Sequence, residues 1–179
     1  GKDITIQELR EQGYKAFYIA IGCQGGRKAG IVGEDAEGVM TAVDFLRTVG
    51  ADESYPLEGR TVVVGGGNVA MDAARCAKRL GAQEVYIIYR RGEEEMPARK
   101  EEVHHAKEEG IIFKLLTNPT EIIGDEKGWV KGIRCVKMEL GEPDASGRRR
   151  PVLIENSEFD IEVDNVIVAI GQTPNPLIK

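Results

Sequence analysis

Six consecutive residues, Gly65-Gly66-Gly67-Asn68-Val69-Ala70, could hold a phosphate with backbone alone. They follow a β-branched run, Thr61-Val62-Val63-Val64, and open a stretch of helical spacing over 68–80. In a G-x-G-x-x-A turn the first glycine permits the tight bend. The second lets a pyrophosphate approach the backbone, and the small third residue lets helix and strand pack closely. The helix start then offers free N–H groups and the positive end of its dipole to the anion. A second run, Val85-Tyr86-Ile87-Ile88-Tyr89, closes a βαβ unit over 61–89, close to the ~30 residues such a unit needs. Three glycines between strand and helix are also compatible with a bare tight connection. The preceding strand, the following helix and the length of the unit together point to a dinucleotide site.

The end of the second strand selects the dinucleotide. An NAD site usually carries Asp or Glu there to bind the ribose 2′-hydroxyl. This chain has Tyr89-Arg90-Arg91, with Arg99 further along. Guanidinium groups can grip a 2′-phosphate bidentately, whereas an acid would repel its roughly −1.5 to −2 charge. NADP(H) is therefore expected over NAD. Glu93, Glu94 and Glu95 compete with that expectation; they lie beyond the arginines and read as a solvated loop, although one could touch the ribose.

Other candidates carry less. His104 and His105 are adjacent, so their side chains diverge on a helix and suit a wet face better than a metal site. Arg148-Arg149-Arg150 follows a turn and reads as an exposed hairpin end rather than an anion site, and Trp129 as packing on the antiparallel half. Cys23, Cys76 and Cys135 stand far apart with no CxxC, which argues against a zinc ribbon, an iron–sulfur cluster or a secreted disulfide scaffold. There is no Tyr-x-x-x-Lys, Gly-x-Ser-x-Gly or Walker motif. No acid, base or nucleophile stands out, so no catalytic residue and no metal ligand is assigned.

Composition narrows the class. In 179 residues, 24 Lys+Arg against 30 Asp+Glu give a net charge of −6, which disfavours nucleic acid as a partner. No apolar run approaches ~20 residues and no signal pattern opens the chain, so neither a spanning helix nor secretion is expected. A reducing, cytoplasmic setting follows. The first residue is Gly1, which suggests an excised segment with partners missing at both ends.

The elements that must position the glycine turn are legible in part. Thr5 and Glu8 form a capping box for a short helix flanked by Ile4 and Leu9 and stopped by Gly13. The run Ala16-Phe17-Tyr18-Ile19-Ala20-Ile21 suits a strand buried on both faces, and residues 23–38 read as loop. Helical spacing over 39–49 predicts a second helix. In the helix after the glycines, Val69, Ala73, Cys76, Ala77 and Leu80 share a face, with Ala70 and Ala74 keeping its flank thin. A helix over 98–109 and a strand over 111–116 follow. From 120 to 168 the pattern becomes an antiparallel meander, with strands around 121–123, 130–140, 152–154 and 159–163. A buried strand over 166–171 closes the chain's apolar pattern. The fold class is therefore α/β: a Rossmann-like three-layer domain with a parallel sheet plus an antiparallel β-meander. Ala20-Ile21-Gly22 and Ala169-Ile170-Gly171 repeat one tripeptide, either by coincidence or as two chain crossings to a neighbouring domain.

Several of these segments together resemble one family. The turn from Gly65 to Asp72, then Tyr89-Arg90-Arg91, Met96-Pro97-Ala98 and Ala169-Ile170-Gly171-Gln172-Thr173-Pro174-Asn175 are similar to the NADPH-binding domain of the glutamate synthase small (beta) subunit group. That group belongs to the pyridine-nucleotide flavoproteins with two dinucleotide-binding domains. The resemblance implies one NADPH-binding domain over 1–179, inserted into an FAD domain that the chain lacks. Crossover segments would lie within 1–58 and 164–179. It implies that Gly65, Gly66, Gly67, Asn68, Val69 and Ala70 hold the pyrophosphate, and that Arg90, Arg91 and Arg99 serve the 2′-phosphate. Ala169, Ile170 and Gly171 would lie beside the cofactors at the domain junction. Many relatives carry Asp-Thr where this chain has Asn68-Val69. The implied partners are the missing FAD domain and a glutamate synthase large subunit or another electron acceptor. FAD belongs to the intact parent and not to this segment, which would be inactive alone. Two other readings stand beside it: a self-contained NADP-dependent dehydrogenase, and a non-enzymatic NADP(H)-sensing module.

Overall fold

The capping box forms as the sequence requires. In the computed structural model, which describes residues 3–52 and 54–174, Glu8 N–H donates to Thr5 Oγ1 and Thr5 N–H donates to the Glu8 carboxylate at 2.7 Å. They open α1 (Ile6–Glu11), and Gly13 follows with φ +101°. Asn175, the last residue of the junction motif, lies outside the described residues.

The next apolar run departs from expectation. Residues 16–21 form no strand, and Tyr18 is 94% exposed. A strand buried on both faces needs hydrogen-bonded neighbours and two covering layers, and no described element supplies them. The stretch expected as loop instead contains β1 (Gly25–Gly26), paired antiparallel with residues 172–173.

The helix expected over 39–49 is split. Residues of β2 (Val39–Thr41) join a sheet, and α2 (Ala42–Ala51) starts only after Thr41, whose Oγ1 accepts from Asp44 N–H at 3.2 Å. The central unit follows its pattern: β3 (Arg60–Val64), α3 (Asn68–Arg79) and β4 (Glu84–Tyr89). In α3 the fully buried residues are Ala70, Met71, Ala73, Ala74 and Ala77, so the alanines expected on the flank sit within the contact. Leu80 and Val69 pack at its margin. After a 3-10 turn at Glu93–Glu95 comes α4 (Lys100–Glu108). It begins two residues later than expected, because Ala98 N–H donates to the Gly66 carbonyl and Arg99 N–H to Asn68 Oδ1. Arg99 is consequently extended, with ψ 142°.

The chain continues through β5 (Ile112–Leu115), β6 (Thr117–Gly124), β7 (Val130–Pro143), β8 (Arg149–Leu153), β9 (Phe159–Glu162), β10 (Asn165–Val168) and β11 (Gln172–Thr173). The antiparallel part is a meander whose third strand is divided: β8 pairs with the 138–143 stretch of fourteen-residue β7, and β9, further along the chain, with its 132–135 stretch. Trp129, expected as packing, is 52% exposed.

Five parallel strands run in the order β2-β10-β3-β4-β5. Their period of two sorts side chains into two cores. Val63, Ile87 and Ile167 face α2, α3 and α4, whereas Val62, Ile88 and Val166 meet Ile122, Ile133 and Cys135 of the antiparallel layer. Burial of this kind is worth roughly 1.5–3 kcal/mol for each large side chain. The result is helices, parallel sheet and antiparallel sheet, in that order.

Candidate functional site

Strand order reverses beside β3. The chain moves from β3 outward to β4 and β5, then returns to place β10 on the other side of β3. Such a reversal opens a crevice beyond the carboxyl ends of the strands. A cavity of about 680 Å³ lies there. Its wall takes Gly65, Gly66, Gly67, Asn68 and Val69 from the turn after β3, Arg90 and Arg91 from the end of β4, and Ala169, Ile170 and Gly171 from the end of β10. Residues expected to act together from positions a hundred apart thus share one wall. Ala70, completely buried, lies behind the wall and lets α3 approach the sheet, and Arg99 lies outside the lining.

The three glycines answer different demands. Gly65 has φ +149°, and a Cβ there would come within 2.3 Å of the Ala169 carbonyl oxygen. A Cβ on Gly66 would enter the Tyr89 ring at 2.6 Å. Both are required by packing, whatever binds. Gly67 differs: nothing lies nearer its Cβ position than Pro97 at 3.9 Å, so its bare backbone faces open space. No side chain caps α3, and no acid sits in its first turn. The first amides of α3 and its dipole are therefore available to an anion. Asn68 has another task, since its Oδ1 holds the Arg99 amide at 2.9 Å and ties residues 97–99 to the turn.

The charges of the strand end separate by partner. Arg90 is exposed and makes no ion pair among the described residues. Arg91 is only 8% exposed; its Nη2 meets Asp144 at 2.8 Å, while its buried Nη1 has no partner. Hydrogen bonds from Ser146, followed by Arg91, hold the Asp144 carboxyl well below the usual range. The competing acids are turned elsewhere. Glu93 pairs with Lys107 at 2.7 Å, and Glu95 is buried against Arg149 Nε at 2.7 Å, with Glu94 3.6 Å from the same guanidinium.

Arg148 was not expected at the site, yet it lines the cavity, as do Arg27 and Thr117. The arginine run at 148–150 was visible, but folding of the β7–β8 turn toward β4 was not. Tyr89 shows the crowding: burial raises its phenol pKa, while Arg91, Arg148 and Arg90 oppose that rise. The other candidates stay apart. His104 is exposed and 3.1 Å from Glu108. Burial pushes the Cys135 thiol up to about 12, and no metal-binding cluster of three or more His, Cys, Asp or Glu occurs among the described residues. No helix among those residues is long and apolar enough to cross a membrane.

Residues 2–179 match the pyridine nucleotide-disulphide oxidoreductases. The chain belongs to that family. It is 50% identical over 175 residues to the NADP(+)-dependent formate dehydrogenase subunit beta of Moorella thermoacetica, covering 96% of this chain and 24% of the relative. It is 39% identical over 186 residues to the glutamate synthase [NADPH] small chain of Escherichia coli, covering 98% and 39%. The resemblance to the glutamate synthase small subunit group is therefore shown by sequence. Among solved structures, Mycobacterium tuberculosis FprA in complex with NADPH superposes with a TM-score of 0.75 and 25% identity, over 97% of this chain and 54% of that one. This pyridine nucleotide-disulphide oxidoreductase segment thus spans well under half the length of those two curated relatives.

Proposed function

We propose that the chain is the NADPH-binding domain of a larger flavin-dependent oxidoreductase. The observation that carries this reading is the convergence, at the reversal of strand order, of an uncapped helix start, an open Gly67 backbone and arginines at the end of β4. Residues fit both charged parts of the dinucleotide. Gly67 and the first amides of α3 would receive the pyrophosphate, with Gly65 and Gly66 shaping the turn beneath it. Arg90 and the unpartnered Nη1 of Arg91 would hold the 2′-phosphate. Arg99, outside the lining, contributes its backbone to the turn instead. Ala169, Ile170 and Gly171 would border the nicotinamide end.

NADPH supplies a hydride, and a flavin in the flanking FAD domain would receive it. This chain's residues bind and orient; none is assigned to proton transfer. Two observations support the crossovers within 1–58 and 164–179. Segments 25–26 and 172–173 pair as an antiparallel ribbon, as strands entering and leaving an inserted domain would. The uncovered run 16–21 leaves Tyr18 and Ile19 for a neighbour to cover. The final acceptor, such as a glutamate synthase large subunit, belongs to the whole protein.

Titration calorimetry of the chain with NADPH and NADH tests the reading, with NADPH expected to bind more tightly. Arg90→Ala should weaken NADPH by about ten- to a hundredfold, the value of one hydrogen bond to a charged group, and leave NADH nearly unchanged. Equal losses for both coenzymes would remove the 2′-phosphate assignment.

A further inference from the structure

A 2′-phosphate carries roughly −1.5 to −2 charges. Four arginines lie near the end of β4, and the structure sorts them. Arg149 is taken up by Glu95 at 2.7 Å, with Glu94 at 3.6 Å. The remaining three, Arg90, Arg91 and Arg148, line the cavity, and one carboxylate, Asp144, is set against them. Arg90 and Arg148 are the two of these four with no ion pair among the described residues.

Side-chain hydrogen bonds join Arg91, just past β4, to the hairpin. Arg91 Nη2 donates to Asp144 Oδ2 at 2.8 Å. The other oxygen of Asp144 accepts from Ser146 N–H at 2.8 Å and from the Ser146 hydroxyl, and that hydroxyl accepts from Arg148 Nε at 3.1 Å. The Nη groups of Arg148 make no hydrogen bond or ion pair among the described residues. The hairpin bonded to Arg91 thus brings Arg148, its Nη groups without a partner among the described residues, into the cavity wall.

We propose that Arg148, carried on the β7–β8 hairpin, is a further specificity-determining residue for the 2′-phosphate, and that Asp144 is the positioning residue that holds it there. This rests on the NADPH reading above. The site is then a clamp with one jaw on β4 and the other on the antiparallel layer, so discrimination against the unphosphorylated coenzyme depends on docking of the hairpin.

Calorimetry with 2′,5′-ADP and with NADH tests it on the 179-residue chain. Arg148→Ala should lose about ten- to a hundredfold on 2′,5′-ADP and little on NADH. Unchanged affinity for 2′,5′-ADP, or equal losses on both ligands, overturns the proposal. If Arg90→Ala still loses affinity in the first case, the NADPH reading survives alone; a wild-type chain that binds neither ligand brings down both. Asp144→Asn separates positioning from simple charge by sign. Removal of a nearby negative charge would tighten 2′,5′-ADP binding, whereas loss of the latch weakens it and shrinks the additional effect of Arg148→Ala. Tighter binding in that variant overturns the role given to Asp144. Because Arg148 is exposed, thermal melting of Arg148→Ala should match wild type.

Discussion

Two apolar runs of this chain end in the same three residues and meet opposite fates. Val166, Ile167 and Val168, preceding Ala169-Ile170-Gly171, are buried between β2 and β3 and hydrogen-bonded along both edges. Residues 16–19, preceding Ala20-Ile21-Gly22, form no strand and leave Tyr18 and Ile19 exposed. Composition does not separate them. A strand is half of a pairing, and its stability comes from neighbours distant in sequence. The run at 16–21 has no strand neighbour among the described residues, whereas the run at 166–168 has one on each side.

The sharpest break in that comparison is Ile167→Ala. It should cost about 2–5 kcal/mol, because the site is completely buried between well-packed layers; denaturant unfolding measures it. Gly65→Ala presses on the carbonyl that follows the buried run and forces an unfavourable φ. A loss of about 1–3 kcal/mol, with loss of NADPH binding, is expected from melting and calorimetry. Asp164→Ala should cost about 0.5–1.5 kcal/mol, because the Asp164 carboxylate accepts the Arg60 amide at 2.7 Å and helps set the register of β10 on β3. Ile19→Ala sits at the other extreme. Within the chain alone its effect should stay within about 0.5 kcal/mol, as for an exposed substitution. A cost near that of Ile167→Ala would show that the first run is packed after all.

Local physics made part of this molecule legible. A strand, a glycine turn and an alanine-rich helix are neighbours in sequence, so their meeting at Gly65, Gly67 and Ala70 needs no distant information. The same holds for the Thr5 capping box. The split at Thr41 was harder to read, since β2 exists only through β10, more than a hundred residues away. Arg90 was legible for the same reason as the glycines: it ends the strand that the turn predicts. Arg99 lies outside the cavity lining; its distance along the chain says nothing of which atoms face the cavity. Its backbone, not its guanidinium, meets the site's framework.

Unaided, the amino-acid order determined the βαβ unit, its bare glycine turn and the arginine-bearing strand end, because hydrogen bonding and hydrophobic period act over a few residues. Tertiary structure alone decided which charges remain available. Glu95 and Asp144 were drawn to particular arginines, and Arg148 was carried to the cavity, by the packing of an antiparallel layer against the parallel sheet. Ion pairing depends on through-space distances of a few ångströms, and those distances exist only once the layers have met.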